Sequence, residues 1–306
     1  GHEHFNKSMT LDIENKMMQY MASVDVVKKV NNRRTNQQNL YYSHDEMEKI
    51  FSKIWRKLRK FDKRLFPLER TIRDSALFKA SPFHKLTDEQ LDAKDRIMAT
   101  IEANLTSKTN KGQLIVVEGD AGSGKTVLMS SLFYELNQLA KDESENPILR
   151  NTSQFLLVNH DQQLKVYEEI AQKLEIFKLG KQETVLKPTR FINRYSEDNP
   201  VDVVIVDEAH LLLTQGKQSY TGQNQLNDLL KRARVVVAVF DKKQILSREQ
   251  YWEPDQLDSL LAYVEKQGNL ISLKNQLRIN AGRETIAWIR SLIDEQTVKP
   301  LPQNDE

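Results

Sequence analysis

The chain has 306 residues, 39% of them apolar, with no cysteine and a formal net charge of +2. Its length suits one large α/β domain with a smaller appendage. The lack of cysteine excludes disulfides and thiolate metal sites and suits a cytoplasmic protein, and the longest apolar run, Val235–Phe240, falls far short of the about 20 residues needed to cross a bilayer, so no membrane partner is expected. Charge is unevenly placed: the first 80 residues hold 17 Lys/Arg and 10 Asp/Glu, a surplus of +7 that leaves −5 for the rest. A basic appendage on a mildly acidic body is the asymmetry expected where the appendage meets a polyanion.

In chain order, residues 1–80 read as a basic helical N-terminal region. Residues 11–30 predict a helix with Ile13, Met17, Met21 and Val24 on one face, and the polar stretch 31–39 predicts a loop. Ser43 and Glu46 form a capping-box spacing that starts a second helix. Its apolar stripe is Ile50, Ile54, Leu58, Phe61 and Leu65, with Phe51 and Trp55 beside it and Pro67 marking its end. Lys53, Arg56, Lys57, Lys60 and their basic neighbours fill the other side. Arg56, Lys57 and Lys60 are candidate contacts to nucleic-acid phosphates, and the same face reads equally as the solvated side of a packed helix.

The main domain is expected over residues 81–297, with 298–306 as a linker or the start of a further lobe. Strands are predicted at Leu114–Val117, Gln154–Val158, Val203–Val206, Val235–Phe240 and Leu270–Leu273, separated by helical patterns such as Gln162–Leu174 and Gln225–Ala233. Strands alternating with helices imply a parallel sheet covered on both faces. After the first strand, Gly119 to Thr126 fits G-x-x-x-x-G-K-[ST], and a helix follows with Leu128, Leu132, Leu136 and Leu139 at three- and four-residue spacing. Backbone N–H groups of Gly119, Ala121, Gly122, Ser123 and Gly124 and the helix end would surround a polyphosphate. Lys125 would reach its terminal oxygens and Thr126 would ligate Mg2+, which makes ATP the expected cofactor. The fold class that follows is a P-loop NTPase with a RecA-like parallel sheet.

"VDVVIVDEAH" (201–210) is a buried strand ending in two carboxylates. Asp207 would hold magnesium and Glu208 would order the attacking water, since phosphoryl transfer needs both. His210 reads equally as a contact near the γ-phosphate or as a packed side chain.

Several stretches then resemble a known family. "LTDEQLDA" (86–93) resembles the adenine-reading glutamine motif of superfamily 1 helicases and implies an adenine contact from Gln90. "FDKKQ" (240–244) resembles the Gly-Asp-x-x-Gln motif and implies that Gln244 senses the γ-phosphate. "LKNQLR" (273–278) resembles the Leu-x-x-x-Tyr-Arg motif and implies an arginine-finger role for Arg278. With "SPFHKLTDEQ", "LLVNHDQQ", "LKPTRFIN", "GQNQLNDLLKRARVVVAVFD" and "NQLRINAG", residues 75–300 are similar to a bacterial family of DNA/RNA-helicase-like proteins related to the Schlafen-type ATPase domain. The resemblance implies an ATP-driven helicase, translocase or remodeller acting on DNA or RNA. Asn159 and His160, after the second strand, stand in the place of a strand-contacting motif. Motors of this type use two RecA-like lobes, so a second lobe or a partner subunit is expected to complete the site beyond Arg278. The other function open at this point is a P-loop switch or oligomeric ATPase acting on a protein partner.

Overall fold

The computed structural model describes residues 7–31, 44–107, 112–120, 122–141, 144–179, 182–213, 222, 224–241 and 254–274, and residues 288, 291, 297, 298 and 300 near the C-terminus. Strands β1 (Gln113–Gly119), β2 (Gln154–Val158), β5 (Val185–Leu186), β6 (Val201–Asp207), β7 (Ala233–Phe240) and β8 (Leu270–Leu273) form one sheet. Its order is β5-β2-β6-β7-β1-β8 and every pairing is parallel. A two-stranded antiparallel ribbon, β3 (Lys178–Leu179) with β4 (Gln182–Glu183), stands apart from it.

The β-branched runs form strands because both of their faces are buried, and successive side chains serve opposite layers. Ile115, Val117, Val203, Ile205, Val235, Val237 and Val239 point to one layer. It is covered by α5 (Asp88–Thr106), α6 (Lys125–Leu139) and α7 (Asp161–Lys173). Leu114, Val116, Val204, Val206, Val236, Ala238 and Phe240 point to the other, covered by α8 (Pro188–Arg194), α9 (Gln225–Arg232) and α10 (Pro254–Lys266). This is the expected RecA-like P-loop core with helices on both faces. All five predicted strands are present. The short β3, β4 and β5 escape sequence reading because two residues carry no periodicity.

The N-terminal region is helical, with α1 (Lys7–Ala22), α2 (His44–Phe61), α3 (Glu69–Asp74) and α4 (Ala76–Lys79). Three expectations there are corrected. First, α1 starts earlier than residue 11 and stops at Ala22 rather than 30. The Ala22 and Val24 carbonyls turn to the buried Lys173 ammonium at 3.1 and 3.2 Å, which ends the helix. Second, α2 ends at Phe61 rather than at Pro67, because the Asp62 carboxylate accepts from the N–H groups of Arg64 and Leu65 at 2.7 and 3.1 Å and closes a turn. Third, its core-facing stripe is Met47, Phe51 and Trp55, packed on Tyr20, while Phe61 is 88% exposed. The aromatic stripe is selected because it buries more area per residue, with Trp55 also donating its indole N–H to the Pro67 carbonyl at 2.8 Å. The loop at 31–39 and the Ser43–Glu46 cap lie, apart from Asn31, outside the described residues or side chains.

Packing does not break near residue 80: Ala22, Leu77 and Ala80 belong to the same apolar cluster as the α5–α7 face of the sheet. Among the described residues no helix is long and apolar enough to cross a membrane.

Candidate nucleotide-binding site

Because the strands are parallel, β1, β2, β6 and β7 all deliver their carboxyl ends to one edge of the sheet, where α/β proteins build ligand sites. β1 delivers the glycine loop. A Cβ on Gly119 would lie 2.6 Å from Ser123 Oγ and 3.0 Å from the Leu273 carbonyl, so only glycine fits there. Gly122 (φ 89°) and Gly124 (φ 79°) are left-handed, as a loop turning its N–H groups inward requires. Gly124 caps α6, which places Lys125 and Thr126 in the first turn of that helix. The buried Ser123 hydroxyl has no hydrogen-bond partner among the described residues.

The Lys125 ammonium lies over this loop, donating to the carbonyls of Gly119 (2.5 Å) and Asp120 (2.8 Å) and pairing with Asp241 Oδ2 at 3.5 Å. Burial pushes its pKa down, and Asp241, Asp207 and Asp120 oppose the shift. β6 ends in Asp207, 2% exposed. Its Oδ1 accepts from the Glu208 N–H at 3.0 Å, and its Oδ2 accepts from Gln163 Nε2 at 2.8 Å and the Tyr167 hydroxyl at 2.9 Å. Burial raises its pKa, and Tyr167, the Glu208 N–H and Lys125 oppose that rise. Glu208 follows in left-handed backbone (φ 51°), a conformation uncommon outside glycine, and opens a 3₁₀ turn, Ala209–Leu211, in which His210 is buried.

The residues present fit a nucleotide with a divalent cation. A glycine cradle that a Cβ would fill, an orphaned serine hydroxyl and one lysine stand beside two buried carboxylates. No group of three or more His, Asp or Glu side chains that could hold a metal occurs among the described residues. A cation shared between Thr126, Asp207 and phosphate oxygens is the chemistry this donor set supports.

Other expected residues fall as follows. Gln90 is 2% exposed; its carbonyl closes the cap of α5 by accepting from the Thr87 N–H, and its amide nitrogen reaches the Ser123 and Gly124 carbonyls at 3.5 and 3.3 Å. It therefore braces the loop from α5. Asn159 and His160 follow β2, beside the strand that carries Asp207, with His160 exposed at the cap position of α7. Arg56, Lys57 and Lys60 are exposed on α2, whose buried face packs on α1. Ala121, Gln244 and Arg278 lie outside the described residues.

Sequence reasoning missed Asp241, Gln163 and Tyr167. Asp241 repeats the pattern of Asp207, an acid directly after a buried apolar strand, and could have been found by that likeness. Gln163 and Tyr167 carry no such signal, since either suits an ordinary helix.

The family model described as "Schlafen group 3, DNA/RNA helicase domain" matches residues 112–306. The chain is 33% identical over 229 residues, 71% of its length, to "Uncharacterized protein YPL245W" of Saccharomyces cerevisiae, and spans 50% of that relative. A chain from "Structure of Drosophila ORC bound to DNA" aligns with a TM-score of 0.32 and 14% identity over 65% of this chain and 46% of that one, too slight a likeness to bear on function. The chain belongs to the Schlafen group 3 DNA/RNA helicase domain family.

Proposed function

We propose that the chain binds ATP with Mg2+ and hydrolyses it as the ATPase lobe of a helicase, translocase or remodeller of DNA or RNA. The observation that carries this reading is the convergence of Lys125, Asp207 and Asp241 on the mouth of one glycine loop, with Glu208 next in the chain after Asp207. In the mechanism, N–H groups of the loop and of the first turn of α6 hold the phosphates, while Lys125 exchanges its loop carbonyls for phosphate oxygens. Thr126 and Asp207 would hold magnesium, which would supply positive charge to offset that of the phosphates. Glu208 orients the attacking water. Gln90 holds the loop from α5, and an adenine contact from Gln90 would require its bonds to the Ser123 and Gly124 carbonyls to open. Gln244 as γ-phosphate sensor and Arg278 as arginine finger complete the scheme. A second lobe or a partner subunit would bring Arg278 to bear; the chain spans half of the relative that it matches.

The nucleic-acid side of the proposal rests on family membership and on the position of Asn159 and His160 at the same sheet edge. Its test is ATP turnover with and without single-stranded DNA or RNA, at several salt concentrations. Stimulation that weakens steeply with salt is expected, because phosphate contacts release counterions. Turnover indifferent to both nucleic acids would favour the second reading, a P-loop switch with a protein partner. That reading draws on the mixed apolar and basic outer surface of α2, where Phe61 stands 88% exposed among lysines and arginines.

A further inference from the structure

Asp207 needs its carboxylate plane set before it can hold a metal ion, and the strand that carries it sets only the Cα position. The two oxygens of this carboxylate have different partners. Among the described residues Oδ1 accepts only from the N–H of the next residue, whereas Oδ2 accepts from Gln163 Nε2 at 2.8 Å and from the Tyr167 hydroxyl at 2.9 Å. Gln163 and Tyr167 are four residues apart on α7 and so lie on one face, one turn from each other. Tyr167 is 3% exposed within the apolar cluster under the sheet. A buried tyrosine in such a cluster needs a partner for its hydroxyl, and Asp207 accepts from it here. Gln163 is half-buried beside it, while the adjacent Gln162 faces solvent.

We infer that Gln163 and Tyr167 are positioning residues that fix the orientation of Asp207 for the metal ion, an inference that rests on the nucleotide-binding function proposed above. Two donors occupy one oxygen and fix the carboxylate plane from α7, a helix outside the glycine-loop and acid motifs. Losing either donor leaves Asp207 in place with its carboxylate plane held less tightly, by the remaining donor and the Glu208 N–H. The defect then appears in the use of metal and not in the grip on phosphate, which the loop and Lys125 provide.

The test uses the full chain with Tyr167→Phe, Gln163→Leu and the double substitution. Binding of a fluorescent ATP analogue is measured without divalent cation and across a Mg2+ titration, alongside thermal unfolding. Metal-free affinity is expected within about twofold of the parent, with the Mg2+ concentration at half-effect raised about tenfold by each single change, the scale of one hydrogen bond to a charged group. An unchanged Mg2+ midpoint in folded Tyr167→Phe and Gln163→Leu overturns the inference and leaves both side chains as packing. Should Tyr167→Phe fail to fold, Gln163→Leu alone decides, since that side chain is only partly buried. A parent chain whose nucleotide binding ignores Mg2+ overturns the inference and the function proposed above together, so the two failures are told apart in the parent protein.

Discussion

Lys125 opens α6 and Glu208 follows the end of β6, and the two should fail in different ways when replaced. Lys125 is already held by the Gly119 and Asp120 carbonyls and by Asp241, so its ammonium is in place for phosphate oxygens. Lys125→Ala should weaken ATP binding about 10- to 100-fold, the scale of a charge-assisted contact, measured by titration calorimetry. Unchanged affinity would remove the glycine loop as the phosphate site. Glu208→Gln should keep that affinity but lower turnover about 10²- to 10⁴-fold, because an amide takes up no proton from the attacking water. Steady-state phosphate release at saturating ATP reads the difference. At this scale the sequence was most informative where a motif fixes both residue type and spacing, as from Gly119 to Thr126. It was silent on Gln163 and Tyr167, whose roles depend on which strand α7 packs against.

For whole elements, legibility follows burial. β6 and β7 are apolar on both faces and could be read from composition alone. α2 could not, because two apolar stripes lie side by side on it and only packing selects between them. The selected stripe puts Phe51 and Trp55 against Tyr20, with ring centroids 4.8 and 4.9 Å from it, and leaves Phe61 outside. Trp55→Ala should therefore cost about 3–5 kcal/mol of stability, while Phe61→Ser should change it by no more than about 0.5 kcal/mol. Chemical denaturation of the two variants tests this. Similar losses in both would mean that the predicted stripe, not the observed one, faces the core.

On the scale of the molecule, charge and composition marked residues 1–80 as different but did not show how they are held. Lys173 at the end of α7 accounts for part of the attachment, and His84 for another. His84 Nε2–H donates to the Phe78 carbonyl at 2.6 Å, which leaves Nδ1 to accept from the Gln19 amide at 2.8 Å. Burial holds its pKa below the ordinary value of 6.5, partly offset by the Phe78 carbonyl. Asp12, Lys16, Glu48, Arg73 and Lys85 line the same cavity. From about pH 6.5 downward the unfolded chain takes up a proton that the folded chain resists, so stability rises with pH across this window and is lost on acidification. The thermal midpoint should fall more between pH 7.5 and 5.5 in the parent than in His84→Gln. Equal falls would assign the acid sensitivity to other groups.

The left-handed backbone at Glu208 has a bearing on how stability and activity trade against each other. A residue with a Cβ held at φ 51° costs about 1–2 kcal/mol that glycine would not. Selection for stability alone would favour glycine at 208, and selection for turnover would oppose it. Glu208→Gly should therefore melt several degrees higher than the parent while hydrolysing almost no ATP, whereas Glu208→Gln should be equally inactive without the thermal gain. A melting temperature for Glu208→Gly no higher than that of Glu208→Gln would show that no strain is held there. If the gain appears, random screens of this chain for thermostability should repeatedly recover inactive proteins altered at this one position.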